Sequence, residues 1–219
     1  MKTKFYSPSV NIIRDQFEEL YYYPTVNGEN SFNRIIQSFE KGIRSFCIIG
    51  AYGTGKSAFI LALIKVLNKK AKYFKFLGKD DKIFLTEFII GDFESLETKL
   101  RKSFSIPDKE DFFKSFGKII SNYNSKNEAL ILVLDEFGKF LEYAAAIAPE
   151  KEMYFIQKLS EFVNNSKHDI ILITILHQPF EDYAFELPFA QRKEWTKVSG
   201  RLIQIPFNEP VEQLLFLAS

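Results

Sequence analysis

The sequence predicts an α/β domain in which a parallel sheet of about five strands is sandwiched by helices and entered through an N-terminal helical preface. Three observations predict it. Short apolar runs alternate with amphipathic stretches from about residue 45 onward. No internal repeat, low-complexity tract or Gly/Ser-rich linker interrupts the alternation. The 219 residues are enough for one such domain with a full core.

Residues 1–43 read as the preface and 44–219 as the core. In the preface Ile13, Phe17, Leu20 and Tyr21 fall on one helical face, and Phe32, Ile35, Ile36 and Phe39 on another. Between them Pro24 and Asn27-Gly28 mark a bend, and Asn30 or Ser31 is placed to cap the second helix. Ser45–Ile49 is a buried-strand run ending directly in a glycine-rich loop, and Ala58–Leu67 after it has helical spacing at Ile60, Leu61, Ile64 and Leu67. Ile83–Ile90 predicts the second strand, Ala129–Leu134 the third, Ile170–Leu176 the fourth and Leu202–Ile205 a short fifth. Glu94–Asn124 reads mostly as amphipathic helix with Phe112, Phe113, Phe116, Ile119 and Ile120 on one side. A helix carrying Phe155, Leu159, Phe162 and Val163 precedes the fourth strand. Val211–Ala218 opens a further apolar helical pattern, so the chain is expected to continue into a lid or effector region.

The chemistry sits in two motifs. Gly50-Ala51-Tyr52-Gly53-Thr54-Gly55-Lys56-Ser57 matches G-x-x-x-x-G-K-[ST], between a buried strand and an amphipathic helix as that motif requires. Its glycines let successive backbone N–H groups face phosphate oxygens, and the helix through Ala58 adds the positive end of its dipole. Lys56 brings a point charge for the β- and γ-phosphates, and Ser57 a hard oxygen ligand for Mg²⁺. The second motif is the strand ending in Asp135-Glu136, which delivers two carboxylates to the crevice where parallel sheets bind ligands. Asp135 is placed to hold Mg²⁺ and Glu136 to act as general base on water. These residues predict a nucleoside triphosphate as ligand, with ATP and Mg²⁺ the expected pair.

With those two motifs the chain resembles the AAA+ branch of P-loop NTPases, including its initiator-like and STAND relatives, over most of residues 20–217. The run Asp135–Tyr143 with His177–Tyr183 and Glu194–Phe207 also resembles bacterial ATPases of mobile or defence loci. The AAA+ resemblance implies an ATPase module driving conformational or assembly change, with a slow nucleotide-gated switch or a nucleic-acid motor or loader as alternatives. It implies a γ-phosphate sensor after the fourth strand, where His177 and Gln178 stand in place of the usual Asn. It also implies an arginine finger at Arg201, in Lys197-Val198-Ser199-Gly200-Arg201, and therefore a homo-oligomer. By residue type alone, Arg201 is equally an ordinary surface cation and the His177-Gln178 pair a polar strand edge. The family's adenine-wrapping segment corresponds to Tyr21–Val26, whose tyrosines read as core residues on their own pattern.

Composition narrows the rest. A formal charge of +1 gives no general pull toward nucleic acid or an acidic membrane, while a local patch stays open. One cysteine, Cys47, forms no internal disulfide and leaves no Cys-based zinc site, which suits a reducing cytoplasm. No apolar run is long enough to span a bilayer, and Met1–Tyr6 lacks a signal-peptide core. His168 reads as a surface histidine and Trp195 as a packing anchor.

Overall fold

Five parallel strands form one sheet in the order β2-β3-β4-β1-β5. They are β1 (Ser45–Ile49), β2 (Ile83–Ile90), β3 (Glu128–Asp135), β4 (Ile170–Leu176) and β5 (Ile203–Pro206). The computed structural model describes residues 11–76, 82–164 and 169–208. Seven α-helices connect and cover the strands among these residues: α1 (Val26–Glu40), α2 (Lys56–Leu67), α3 (Leu96–Ser103), α4 (Phe112–Ser125), α5 (Gly138–Ile147), α6 (Pro149–Asn164) and α7 (Phe189–Ser199).

The inner strands β1, β3 and β4 are nearly all apolar because both of their faces are buried, whereas the edge strands β2 and β5 are only partly buried and carry Thr86, Glu87 and Gln204. Along β3, Leu130, Leu132 and Leu134 join the cluster under α3–α7, while Ile131 and Val133 join the one under α1 and α2. Period-2 alternation thus feeds two cores from one continuous run. The first core is aromatic-rich, with the Phe112 ring in contact with both Phe116 and Phe155. The second centres on Phe59 of α2, fully buried between Phe74 and Phe207; truncating such a ring costs about 3–5 kcal/mol. Crossing β4 between β1 and β3 brings the carboxyl ends of three strands side by side, with Ile49 paired to Leu176 and Leu134 to Thr174.

Several expectations need correction. No α-helix runs through Ile13, Phe17, Leu20 and Tyr21. That stretch holds a 3-10 turn at Asp15–Phe17, Phe17 is 87% exposed, and Ile12 is the residue that goes inside. Tertiary packing overrides the helical spacing there. The cap of α1 is Thr25, whose Oγ1 accepts Gly28 N–H at 2.9 Å, so Asn30 and Ser31 lie inside the helix. The Asn27-Gly28 pair is therefore first-turn helix and no bend. The mostly helical region expected over 94–124 consists of two helices, α3 and α4, separated where Ser105 takes φ 53° and Pro107 follows. Helix α5 and helix α7 went unread, whereas the five strands lie within two residues of their expected bounds. The Val211–Ala218 pattern and His168 lie outside the described residues. Among the described residues no helix is long and apolar enough to cross a membrane.

Candidate active site

The glycine-rich loop leaves the sheet at Gly50, whose N–H donates to Leu176 O at 3.1 Å. A Cβ at Gly50 would lie 2.1 Å from the Phe207 carbonyl oxygen, so the β1–β5 contact admits only glycine. Gly53 and Gly55 turn the loop with φ of 77° and 85°, a left-handed backbone that side chains resist. Thr54 Oγ1 donates to Ala51 O at 2.9 Å and braces the turn from within. Gly55 then starts α2 without a side-chain cap, and no acidic residue sits in the first turn. The leading N–H groups of Lys56, Ser57 and Ala58 are those a helix leaves without intrahelical partners, which makes this end an anion cradle.

Lys56 is only 5% exposed and reaches back over the loop. Its ammonium donates to Gly50 O at 2.6 Å and Ala51 O at 2.7 Å, and lies 3.3 Å from His177 Nδ1. An ammonium has only donors, so Nδ1 accepts and the ring proton sits on Nε2. Nε2–H in turn donates to Glu136 Oε2 at 3.0 Å. The Tyr52 ring stacks on the imidazole with centroids 3.5 Å apart and planes at 17°, and its hydroxyl lies 3.4 Å from the same Glu136 oxygen. Burial pulls the Lys56 pKa down, opposed by the charges of Asp135 and Glu136. Burial likewise pushes Asp135 above the usual carboxylate range, against the Glu136 N–H that donates to its Oδ1 at 2.9 Å. Groups shifted by desolvation beside charged neighbours, in a crevice, mark a functional site.

The Asp135-Glu136 turn is held in a costly shape. Glu136 has φ 51°, a left-handed conformation worth about 1–3 kcal/mol of strain for a non-glycine residue. Gly91, just past β2, allows it: its N–H donates to Asp135 O at 2.7 Å, and a Cβ there would sit 2.0 Å from Glu136 O. On the other side Phe137 N–H donates to Ile175 O at 3.1 Å. Gly138 admits the Tyr183 ring, whose hydroxyl burial drives up to a pKa of about 12 and which the His177 backbone N–H also contacts.

The fold therefore brings Gly50–Ala58, Asp135, Glu136 and His177 together. His177, not Gln178, faces the site; Gln178 is exposed. Arg201 is not with them. It precedes β5 at the amino end of the sheet, where it donates to Glu161 Oε1 at 3.0 and 3.2 Å and to Lys197 O at 2.9 Å. Of the Tyr21–Val26 segment, Tyr21 and Tyr23 are exposed, while Tyr22 packs edge-on against Tyr73 and Phe74 with centroids 5.6 Å away. Trp195 is a buried anchor against Phe180. Sequence reasoning missed Gly91 and Tyr183 as supports. A lone glycine closing a strand was the available signal for the first; nothing marked the second.

A phosphate loop after β1, an Asp-Glu pair after β3 and a polar residue after the intervening β4 define the fold of a P-loop NTPase with the AAA+ arrangement. The chain belongs to the family described as ResIII: Type III restriction enzyme, res subunit, which matches residues 27–177, from α1 to His177. Among solved structures it is similar to the Aeropyrum pernix ORC2 protein in ADPNP-ADP complexes. There the identity is 13%, the TM-score 0.56, and the match covers 87% of this chain and 50% of that one. The ADP form of the same protein gives 15% identity and a TM-score of 0.55 over 88% and 52% of the two chains. At such identities the likeness concerns the fold, and the chain spans about half the length of these structures. No curated protein sequence matches it significantly.

Proposed function

We propose that this module binds ATP with Mg²⁺ and hydrolyses it to drive conformational or assembly change in a larger protein. One observation carries the reading: the loop amine Lys56 and the carboxylate Glu136 are joined through His177, at 3.3 and 3.0 Å, at the mouth of an anion cradle. Lys56 and the first N–H groups of α2 attract the phosphates. Ser57 and Asp135 are the residues that would hold Mg²⁺, since a hydroxyl and a carboxylate, both half-buried, are hard-oxygen donors suited to a cation that takes few protein ligands. Mg²⁺ when bound offsets charge on the phosphate oxygens. Glu136 takes a proton from water as the water oxygen bonds to the γ-phosphorus and the bond to the β-phosphate oxygen breaks, leaving ADP and phosphate. His177, hydrogen-bonded to both partners, orients that base and is placed to sense the γ-phosphate. Arg201 acts in this reading only on a neighbouring subunit of a homo-oligomer.

The family's description as a restriction-enzyme subunit favours a second reading, a motor or loader acting on nucleic acid. Under that reading duplex DNA stimulates phosphate release. The test of the main reading is phosphate release with MgATP by the wild-type chain and by Glu136→Gln. Turnover faster than about one per minute favours an enzyme over a slow switch. Glu136→Gln should still bind MgATP while release falls about 10²-fold or more. A variant as fast as the wild type overturns Glu136 as the base.

A further inference from the structure

We propose that Tyr52 is a positioning residue that fixes the His177 imidazole between Lys56 and Glu136. Position 52 is a free position of the loop motif, and the side chain is 71% exposed, so it owes its place to no core. Its ring nevertheless lies flat on the imidazole at 3.5 Å and 17°. The two hydrogen bonds of His177 lie in the plane of its ring, and they restrain rotation only while both partners stay in place. The three donors of Lys56 are taken up by Gly50 O, Ala51 O and Nδ1, so a phosphate must draw at least one of them away, and the contact at Nδ1 is the longest. The stack acts on the face of the ring instead, so it holds orientation through that exchange. The Tyr52 hydroxyl matters less. At 3.4 Å from Glu136 Oε2 it is at the long limit of a hydrogen bond, on an exposed side chain.

Position 52 therefore couples loop geometry to the general base chiefly through the ring of His177. The kinetic part of this inference rests on the ATP-hydrolysis reading above; the spectroscopic part does not. The chain has two histidines, so a long-range ¹H–¹⁵N spectrum of imidazole-labelled protein contains two ring systems, and His177→Gln assigns the one of interest. Wild-type His177 should show the Nε2–H tautomer. Tyr52→Ala should broaden its signals or move them toward a tautomeric average. Tyr52→Phe, which keeps the ring, should recover the wild-type pattern. With MgATP, Tyr52→Ala should lower kcat about fivefold with little change in nucleotide Kd, and Tyr52→Phe should lose less. Unaltered His177 signals in Tyr52→Ala would overturn the proposal. So would a Tyr52→Phe variant as impaired as Tyr52→Ala, which would move the role to the hydroxyl. If the wild-type chain releases no phosphate, the ATPase reading fails while the spectra still decide whether Tyr52 holds His177.

Discussion

The two ends of the sheet treat charge in opposite ways. At the carboxyl end Asp135 is pushed above the usual carboxylate range because burial outweighs its one hydrogen bond, from a backbone N–H. At the amino end Glu161 is held below that range, first by the Gln157 side chain and then by Lys158 and Arg201. Both ends hold left-handed backbone, at Gly42 and Asn127 on the amino side and at Gly53, Gly55 and Glu136 on the carboxyl side, where it lies in the loop and turn that carry Lys56 and Glu136. The amino end instead closes on itself: Asn164 Oδ1 accepts Arg44 N–H at 2.8 Å, its Nδ2 donates to Arg201 O at 3.3 Å, and Lys82 and Arg44 pair with Asp169. The difference separates a region that pairs its charges from one that keeps desolvated charge, a pattern that clusters at functional sites.

Arg201 is where that comparison is easiest to break. If it serves only the amino-end network, Arg201→Ala costs under about 1 kcal/mol, because the pair with Glu161 is a third exposed on both sides. If it is a finger in trans, turnover falls by about 10²-fold or more while MgATP affinity barely changes. Mixing Arg201→Ala with Glu136→Gln decides between these. The two variants are dead at different halves of a shared site, so mixed oligomers regain activity only under the trans account. No recovery in assembled mixtures returns Arg201 to the structural end.

Two glycines sharpen the contrast. Gly91→Ala places a Cβ 2.0 Å from Glu136 O, so the strained turn must move; about 1–3 kcal/mol of stability and about tenfold in phosphate release should be lost. Gly200→Ala, beside Arg201, meets its nearest atom at 3.4 Å in ordinary helical backbone. It should be neutral or stabilising by up to about 0.5 kcal/mol. Denaturant melts of both, with equal losses, would contradict this difference between the two ends.

The smallest effects are in pH. The raised Asp135 pKa contributes stability that is full below the ordinary carboxylate range and lost as pH rises through its own raised value. The depressed Glu161 pKa contributes stability present above the ordinary range and lost as pH falls through its lowered value. Toward neutral pH, Asp135→Asn should therefore gain in Tm on the wild type and Glu161→Gln should fall behind it, each by about a degree or two. Melting curves from pH 3 to 7 read both signs at once, and a shared sign would refute the contrast.

The inner strands were legible because burial on both faces leaves runs such as Leu130–Leu134 with no polar residue to confuse them. The phosphate loop and Asp135-Glu136 were legible because their chemistry requires those residue types at that spacing. Helix α7 was not, since Trp195 and Val198 are its only large buried residues and leave little periodic stripe. Ile13, Phe17 and Tyr21 misled in the other direction: their spacing is helical but their side chains are exposed. His177 could be named from its place after β4, but its bridge from Lys56 to Glu136 and the ring above it depend on three loops meeting in space. No local pattern encodes that meeting.

Calorimetric titration of MgATP into the wild-type chain and into Lys56→Ala tests the central claim most directly. Lys56 supplies the one side-chain cation of the loop and already directs its donors at the cradle's own carbonyls. The account predicts clear binding by the wild type and an affinity loss of about 10²-fold or more in the variant, with the fold unchanged by circular dichroism. Equal affinities for the two proteins would contradict it.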